Sequence, residues 1–158
     1  MDLDFAYKNY ENPITSVIGY WSQYGNDWYF IDANGQYVTG WQFINGNWYY
    51  FAGNTVMTTG WQYVNGNWYY MDASGAMKTG WQYINGKWYF LEKSGTMTMG
   101  WQYISGHWYY MDWTGIMTTG WQYIGGHWYY MNADGIMVTG RHYINKRWYY
   151  FNANGVWN

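Results

Sequence analysis

The sequence has no cysteine, which excludes a disulfide framework and any thiolate metal site. It has a single proline, Pro13. Charged residues make up only 10%, against about 25% in an average globular protein. The formal charge of −2 leaves no basic footprint for a phosphate backbone, so nucleic acid is not an expected partner. No apolar run approaches the roughly 18 residues of a membrane span, so membrane insertion is not expected either. The opening stretch, MDLDFAYKNYE, is acidic where a signal peptide is basic, and no apolar segment follows it. No signal peptide is therefore read in the sequence as given. Either export by other means, or that this is a fragment of a longer protein, is the expectation.

What is abundant is aromatic: 22 Tyr, 15 Trp and 6 Phe, or 27% of the chain. Disordered chains are poor in such residues, so a folded protein is expected. The aromatics recur with a period of 20. Gly40-Trp41, Gly60-Trp61, Gly80-Trp81, Gly100-Trp101 and Gly120-Trp121 mark one phase. A second Trp follows in every unit, at 28, 48, 68, 88, 108, 128 and 148. Seven units result: 21–40, 41–60, 61–80, 81–100, 101–120, 121–140 and a shortened 141–158, where Arg141 replaces the first Trp. Residues 1–20 read as a lead-in or linker.

Each unit reads as a β-hairpin. In GWQYVNGNWYYM, Gly60 to Met71, two aromatic runs flank Asn65-Gly66. Asn-Gly suits a two-residue type I′ turn because both central residues need positive φ. Asn45-Gly46 and Asn85-Gly86 repeat the signal, and Gly25-Asn26, Ser105-Gly106 and Gly125-Gly126 are variants of it. Asn145-Lys146 fits poorly, because Lys resists positive φ. A second turn closes each unit, as in Asp72-Ala73-Ser74-Gly75, where an Asx side chain bonds the backbone two residues on. Residues 52–55, AGNT, lack the closing glycine, so a different loop is expected there.

The turn fixes the register. Val64 pairs with Asn67, Tyr63 with Trp68, Gln62 with Tyr69 and Trp61 with Tyr70. Side chains alternate along a strand, so Trp61, Tyr63, Trp68 and Tyr70 share one face. Gln62, Val64, Tyr69 and Met71 share the other. Both faces are largely apolar, and an isolated hairpin is marginal in water. Stacking on neighbouring units buries them, which makes the expected fold all-β, a β-solenoid of stacked hairpins. The Tyr69 and Met71 phases read as core. A solenoid this narrow cannot bury two Trp per unit, and partly open Trp clusters suit cations or sugar faces.

The pattern G-W, then W-Y-Y and an apolar residue, then G-x-M, then T-G-W resembles the cell-wall-binding repeat of choline-binding modules. Those modules occur on streptococcal surface proteins, murein hydrolases and phage lysins. The resemblance covers residues 21–158. It implies a left-handed superhelix and choline held in aromatic cages between successive hairpins, each built from two Trp and a Tyr of the next hairpin. Carried over, the choline-binding sets are Trp21, Trp28 and Tyr50; Trp41, Trp48 and Tyr70; and Trp61, Trp68 and Phe90. The others are Trp81, Trp88 and Tyr110; Trp101, Trp108 and Tyr130; and Trp121, Trp128 and Tyr150. Met57, Met77, Met97, Met117 and Met137 are candidate linings, with loop packing the competing reading. Arg141 would repel a cation, so no seventh site is expected.

The resemblance further implies choline as ligand with no cofactor. It implies choline-bearing teichoic or lipoteichoic acid as partner, a fused or partner cell-wall hydrolase, and a place at the bacterial cell surface or outside the cell. Similar repeats in glucan-binding domains and clostridial toxin tails bind carbohydrate, but commonly lack the second Trp. Carbohydrate binding therefore stays open as an alternative, as does a purely structural spacer. No catalytic site and no metal site is read. The carboxylates Asp32, Asp72, Asp112 and Asp134 fall in the closing turns. His107 and His127 share a phase with Asn47, Asn67, Lys87 and Arg147, a solvated turn flank. No nucleophile or phosphate loop stands out.

Overall fold

Residues 15–158 are described by the structure, a computed structural model. Residues 1–14, with Pro13 and most of the expected lead-in, lie outside the described residues. Among the described residues, fourteen strands pair as seven two-stranded antiparallel sheets. In chain order the hairpins join β1 (Gly19–Tyr24) to β2 (Asp27–Asp32), β3 (Gly40–Ile44) to β4 (Asn47–Phe51), and β5 (Gly60–Val64) to β6 (Asn67–Met71). Then come β7 (Gly80–Ile84) with β8 (Lys87–Leu91), β9 (Gly100–Ile104) with β10 (His107–Met111), β11 (Gly120–Ile124) with β12 (His127–Met131), and β13 (Gly140–Ile144) with β14 (Arg147–Phe151). The fold is all-β and built of hairpin repeats, as the period required. None of the described residues forms a helix long and apolar enough to cross a membrane.

Register follows the turns. Val64 faces Asn67, Tyr63 faces Trp68 and Trp61 faces Tyr70. Asn65 and Gly66 take φ of 49° and 85°, the left-handed pair of a type I′ turn. Two positions expected to differ do not. Asn145 and Lys146 adopt φ of 48° and 68°, and Ile144 still faces Arg147 across a two-residue loop. Thr55 takes φ of 70° in the place of the missing glycine, and its N–H donates to the Ala52 carbonyl at 2.8 Å. The repeat's tertiary context imposes the turn on residues that resist it.

The closing turns explain the carboxylates of Asp32, Asp72 and Asp112. Asp32 Oδ1 accepts from the amides of Asn34 and Gln36 at 2.9 Å each. Asn132 and Asn152 make the same bonds as amides, so the turn needs the oxygen rather than the charge.

After each closing turn one residue ties two hairpins together. Met57 bridges Phe51 of its own hairpin, and its N–H donates to the Trp28 carbonyl of the preceding one at 2.8 Å. Met77 bonds Trp48, Met97 bonds Trp68, Met117 bonds Trp88, Met137 bonds Trp108 and Trp157 bonds Trp128 in the same way. This bond locks the stacking order. The apolar residue ending each second strand fills the centre: Phe51, Met71, Leu91, Met111, Met131 and Phe151 are completely buried.

The chain divides into two compact units. One runs to Gly80 and includes Leu91–Met97; the other holds Trp81–Phe90 and Thr98–Asn158. Within each unit, hairpins stack in chain order, the packing of a β-solenoid. In the first, Val17 N–H donates to the Phe43 carbonyl at 2.9 Å, and Ser16 Oγ accepts from Asn45 N–H at 3.0 Å. The segment entering β1 is thereby fastened to the edge of β3.

Candidate functional site

The two Trp of each of the first six hairpins lie diagonally across its strands, on one face. Their rings meet edge to face. Trp81 and Trp88 are 6.3 Å apart at 85°, and Trp101 and Trp108 are 6.3 Å apart at 87°. The same pairing joins Trp21 to Trp28, Trp41 to Trp48, Trp61 to Trp68 and Trp121 to Trp128. A perpendicular pair makes two walls of a corner.

The third wall comes from the following hairpin. Tyr49 stands 4.9 Å from Trp21, Tyr109 4.8 Å from Trp81, Tyr129 4.8 Å from Trp101 and Tyr149 4.9 Å from Trp121. These are the first tyrosines of W-Y-Y. The expected wall was the second ring of that run, and the structure places it elsewhere. Tyr50 packs on Trp41 of its own hairpin, and Tyr70 on Trp61. Phe90 packs on Trp81, Tyr110 on Trp101 and Tyr130 on Trp121 in the same fashion. Tyr150 faces Arg141 and is exposed. The reason is direction. Hairpins stack head to tail, so the Trp face of one meets the opposite face of the next. Strand alternation then requires a residue of the other parity.

Open grooves result within the units. One, of about 390 Å³, is lined by Trp21, Trp28, Tyr49, Met57, Ala73 and Ser74. A second, about 320 Å³, is lined by Trp81, Trp88, Tyr109, Met117, Ala133 and Asp134. A third, about 310 Å³, is lined by Trp101, Trp108, Tyr129, Met137, Ala153 and Asn154. Of the five candidate methionines, Met57, Met117 and Met137 line these grooves. Met77 packs against the cluster of Trp41, Trp48, Tyr69 and Met71, and Met97 is buried. Each groove thus takes its floor from one hairpin, a wall from the next, and a rim from the closing turn of the one after. A Cβ added to Gly75 or Gly135 would overlap the sulfur of Met57 or Met117. The G-x-M signal is therefore a shelf: the glycine of one turn makes room for the methionine of the previous unit.

Two of the expected Trp positions differ from the rest. Trp28, Trp68, Trp88, Trp108 and Trp128 are between 38% and 43% exposed, but Trp48 is 5% exposed. Trp41 is buried with it, so these two rings are part of the packed core. At the other end, the guanidinium carbon of Arg141 lies 4.5 Å from the centre of the Trp148 ring. The chain's own cation holds that ring face.

The family model of the choline-binding repeat matches residues 38–79, 78–117 and 118–156. This chain belongs to the choline-binding repeat family. Among solved structures, choline binding protein F from Streptococcus pneumoniae is similar at 40% identity and a TM-score of 0.84, over 89% of this chain and 51% of that one. CbpJ from Streptococcus pneumoniae TIGR4 is similar at 37% identity and a TM-score of 0.85, over 89% and 52%. The modular endolysin Cpl-1, complexed with a peptidoglycan analogue, matches at 35% identity and a TM-score of 0.57, over 81% and 39%. The chain spans about half the length of the first two. No curated protein matches it.

The polar groups of these choline-binding repeats are absorbed by structure. His142 Nε2 donates to the Thr139 carbonyl at 2.8 Å, as Gln42, Gln62, Gln102 and Gln122 do in their hairpins. Burial pushes the Asp72 carboxyl up, but hydrogen bonds from Ser74 and Ala76, with Lys78 nearby, hold it below the ordinary aspartate range. Burial, then the Asp112 charge, raises the Tyr89 phenol. Among the described residues, no group of three His, Asp or Glu could hold a metal ion.

Proposed function

We propose that the chain is a non-catalytic attachment module that holds choline groups of teichoic or lipoteichoic acid at a bacterial cell surface. The observation that carries this reading is the recurring corner of two perpendicular Trp, closed by a Tyr of the next hairpin. A quaternary ammonium ion offers no hydrogen-bond donor, so what attracts it is the negative face of several rings. Such corners supply faces from different directions and little else. A sugar would also need convergent polar side chains, and apart from the hydroxyl and indole N–H groups of the rings themselves the grooves offer one each: Ser74, Asp134 or Asn154. Membership of the choline-binding repeat family and the peptidoglycan-analogue complex of the endolysin relative support a cell-wall ligand. A cell-wall hydrolase, fused or separate, is the activity such a module would position.

The ligand corners are those begun by Trp21, Trp81, Trp101 and Trp121, while Trp41 and Trp48 serve the core. Three rings at about 1–2 kcal/mol each, less the cost of fixing a small ligand, leave about −4 kcal/mol, a dissociation constant near millimolar. A polymer carrying many cholines binds far more tightly, because later contacts are intramolecular. The test is retention on a diethylaminoethyl resin with elution by free choline. Elution by an equal concentration of sodium chloride, or retention on a glucan column instead, would reject the reading in favour of simple ion exchange or carbohydrate binding.

A further inference from the structure

We infer that Trp157 is a fourth aromatic wall of the Trp121 site and sets its preference for a quaternary cation; this rests on the choline-binding reading above. Its backbone places it in the methionine phase. Trp157 N–H donates to the Trp128 carbonyl at 2.9 Å, as Met117 does to Trp88 and Met137 to Trp108. Trp157 also bridges Phe151 as Met137 bridges Met131. Where Met117 and Met137 lend a thioether to their grooves, this hairpin presents an indole. That indole lies 5.8 Å from Trp121 at 66° and 5.8 Å from Tyr149 at 72°. It therefore touches two of the three rings of the corner. It does not cap the site, since Trp128 is as exposed as its counterparts in the open grooves, and Trp157 itself is 43% exposed.

Met and Trp differ in what they offer a cation. A thioether is polarisable and adapts its shape, but carries no fixed quadrupole. The face of an indole is the strongest of the aromatic cation acceptors. Indole also loses little conformational freedom when a ligand seats against it, whereas Met must give up rotamers. The first effect favours a trimethylammonium head over its uncharged carbon isostere; the second strengthens the binding of both.

The experiment follows tryptophan indole resonances of the whole chain, labelled with nitrogen-15, during titration with choline and with 3,3-dimethylbutan-1-ol. Trp128 and Trp157 should shift along one curve with choline. Trp157→Met should weaken the curve read at Trp128 about two- to fivefold and narrow its margin over the neutral isostere. Trp157→Phe should recover part of both. The Trp81 and Trp88 curve should not move in either variant, which also reports that the fold is intact. A Trp128 curve unchanged by Trp157→Met, beside a normal response at Trp81, overturns the role of Trp157 and leaves the choline reading standing. Indoles that respond to choline nowhere overturn both.

Discussion

Thr55 and Lys146 show how far a repeat can override its residues. Both hold left-handed φ that a side chain with a Cβ resists. A β-branched residue there is strained by about 1–2 kcal/mol, part of which returns because glycine is freer in the unfolded chain. Thr55→Gly should therefore raise stability by about 1 kcal/mol, and Lys146→Gly by a little less. Each should move the urea midpoint without changing the slope, and a fall in midpoint at both positions would refute the strain. At Asp72 the sign concerns pH. Its folded carboxyl lies below the ordinary range, so its contribution is full at neutral pH and is lost as pH falls below about 4, the unfolded value. Asp72→Asn keeps the turn's acceptor, as Asn132 does, and should flatten that part of the acid limb. Asp134 has a different task. It rims the Trp81 groove, where the grooves at Trp21 and Trp101 have Ser74 and Asn154. Asp134→Asn should weaken choline there about twofold and reduce its salt dependence.

Within the hairpin, almost everything was legible. The period, the two-residue turns, the strand register and the shared face of the two Trp all follow from alternation and turn chemistry. The tyrosine that closes the groove was not, because a single hairpin's pattern does not say which face its neighbour presents. Head-to-tail stacking decides that, and parity then selects Tyr49, Tyr109, Tyr129 and Tyr149 in place of the second ring of W-Y-Y. The G-x-M signal was the available clue, since a methionine resting on the next turn's glycine already implies that direction. Other features depended on packing outside the repeat pattern: the burial of Trp48, and the second turns that reach back to rim a groove two units earlier. The assignment can be tested with a substitution that stays apolar and removes the ring. Tyr109→Leu should abolish choline binding read at Trp88, with a stability loss of about 1–3 kcal/mol from imperfect repacking. Tyr110→Leu should disturb Trp101, on which it packs, and leave the Trp88 curve in place. The reverse pattern would restore the second ring of W-Y-Y as the closing wall.

At the scale of the chain, weak sites would become a stabilising device. Each corner joins rings from successive hairpins, so a ligand seated in it holds those hairpins together and binds only the folded state. One site adds RT ln(1 + [L]/Kd), so well above Kd each tenfold rise in ligand adds about 1.4 kcal/mol per site. The slope of unfolding free energy against the logarithm of choline concentration therefore counts the sites that folding creates. Among the described residues, complete Trp, Trp and Tyr corners with an exposed second Trp lie within the units at Trp21, Trp81, Trp101 and Trp121. The summed slope should correspond to at least four ligands, and an equal concentration of glucose should give none. Because the chain forms two compact units, two transitions are possible, and each slope then counts the sites of its own unit. Substitution makes the count specific. Trp88→Ala removes a wall of an open corner and should lower the sum by one ligand. Trp48→Ala removes a buried ring instead, so it should cost about 3–5 kcal/mol without ligand while leaving the slope unchanged. A lost ligand in the Trp48 variant would mean that this corner opens in solution and that its burial reflects one state of the molecule.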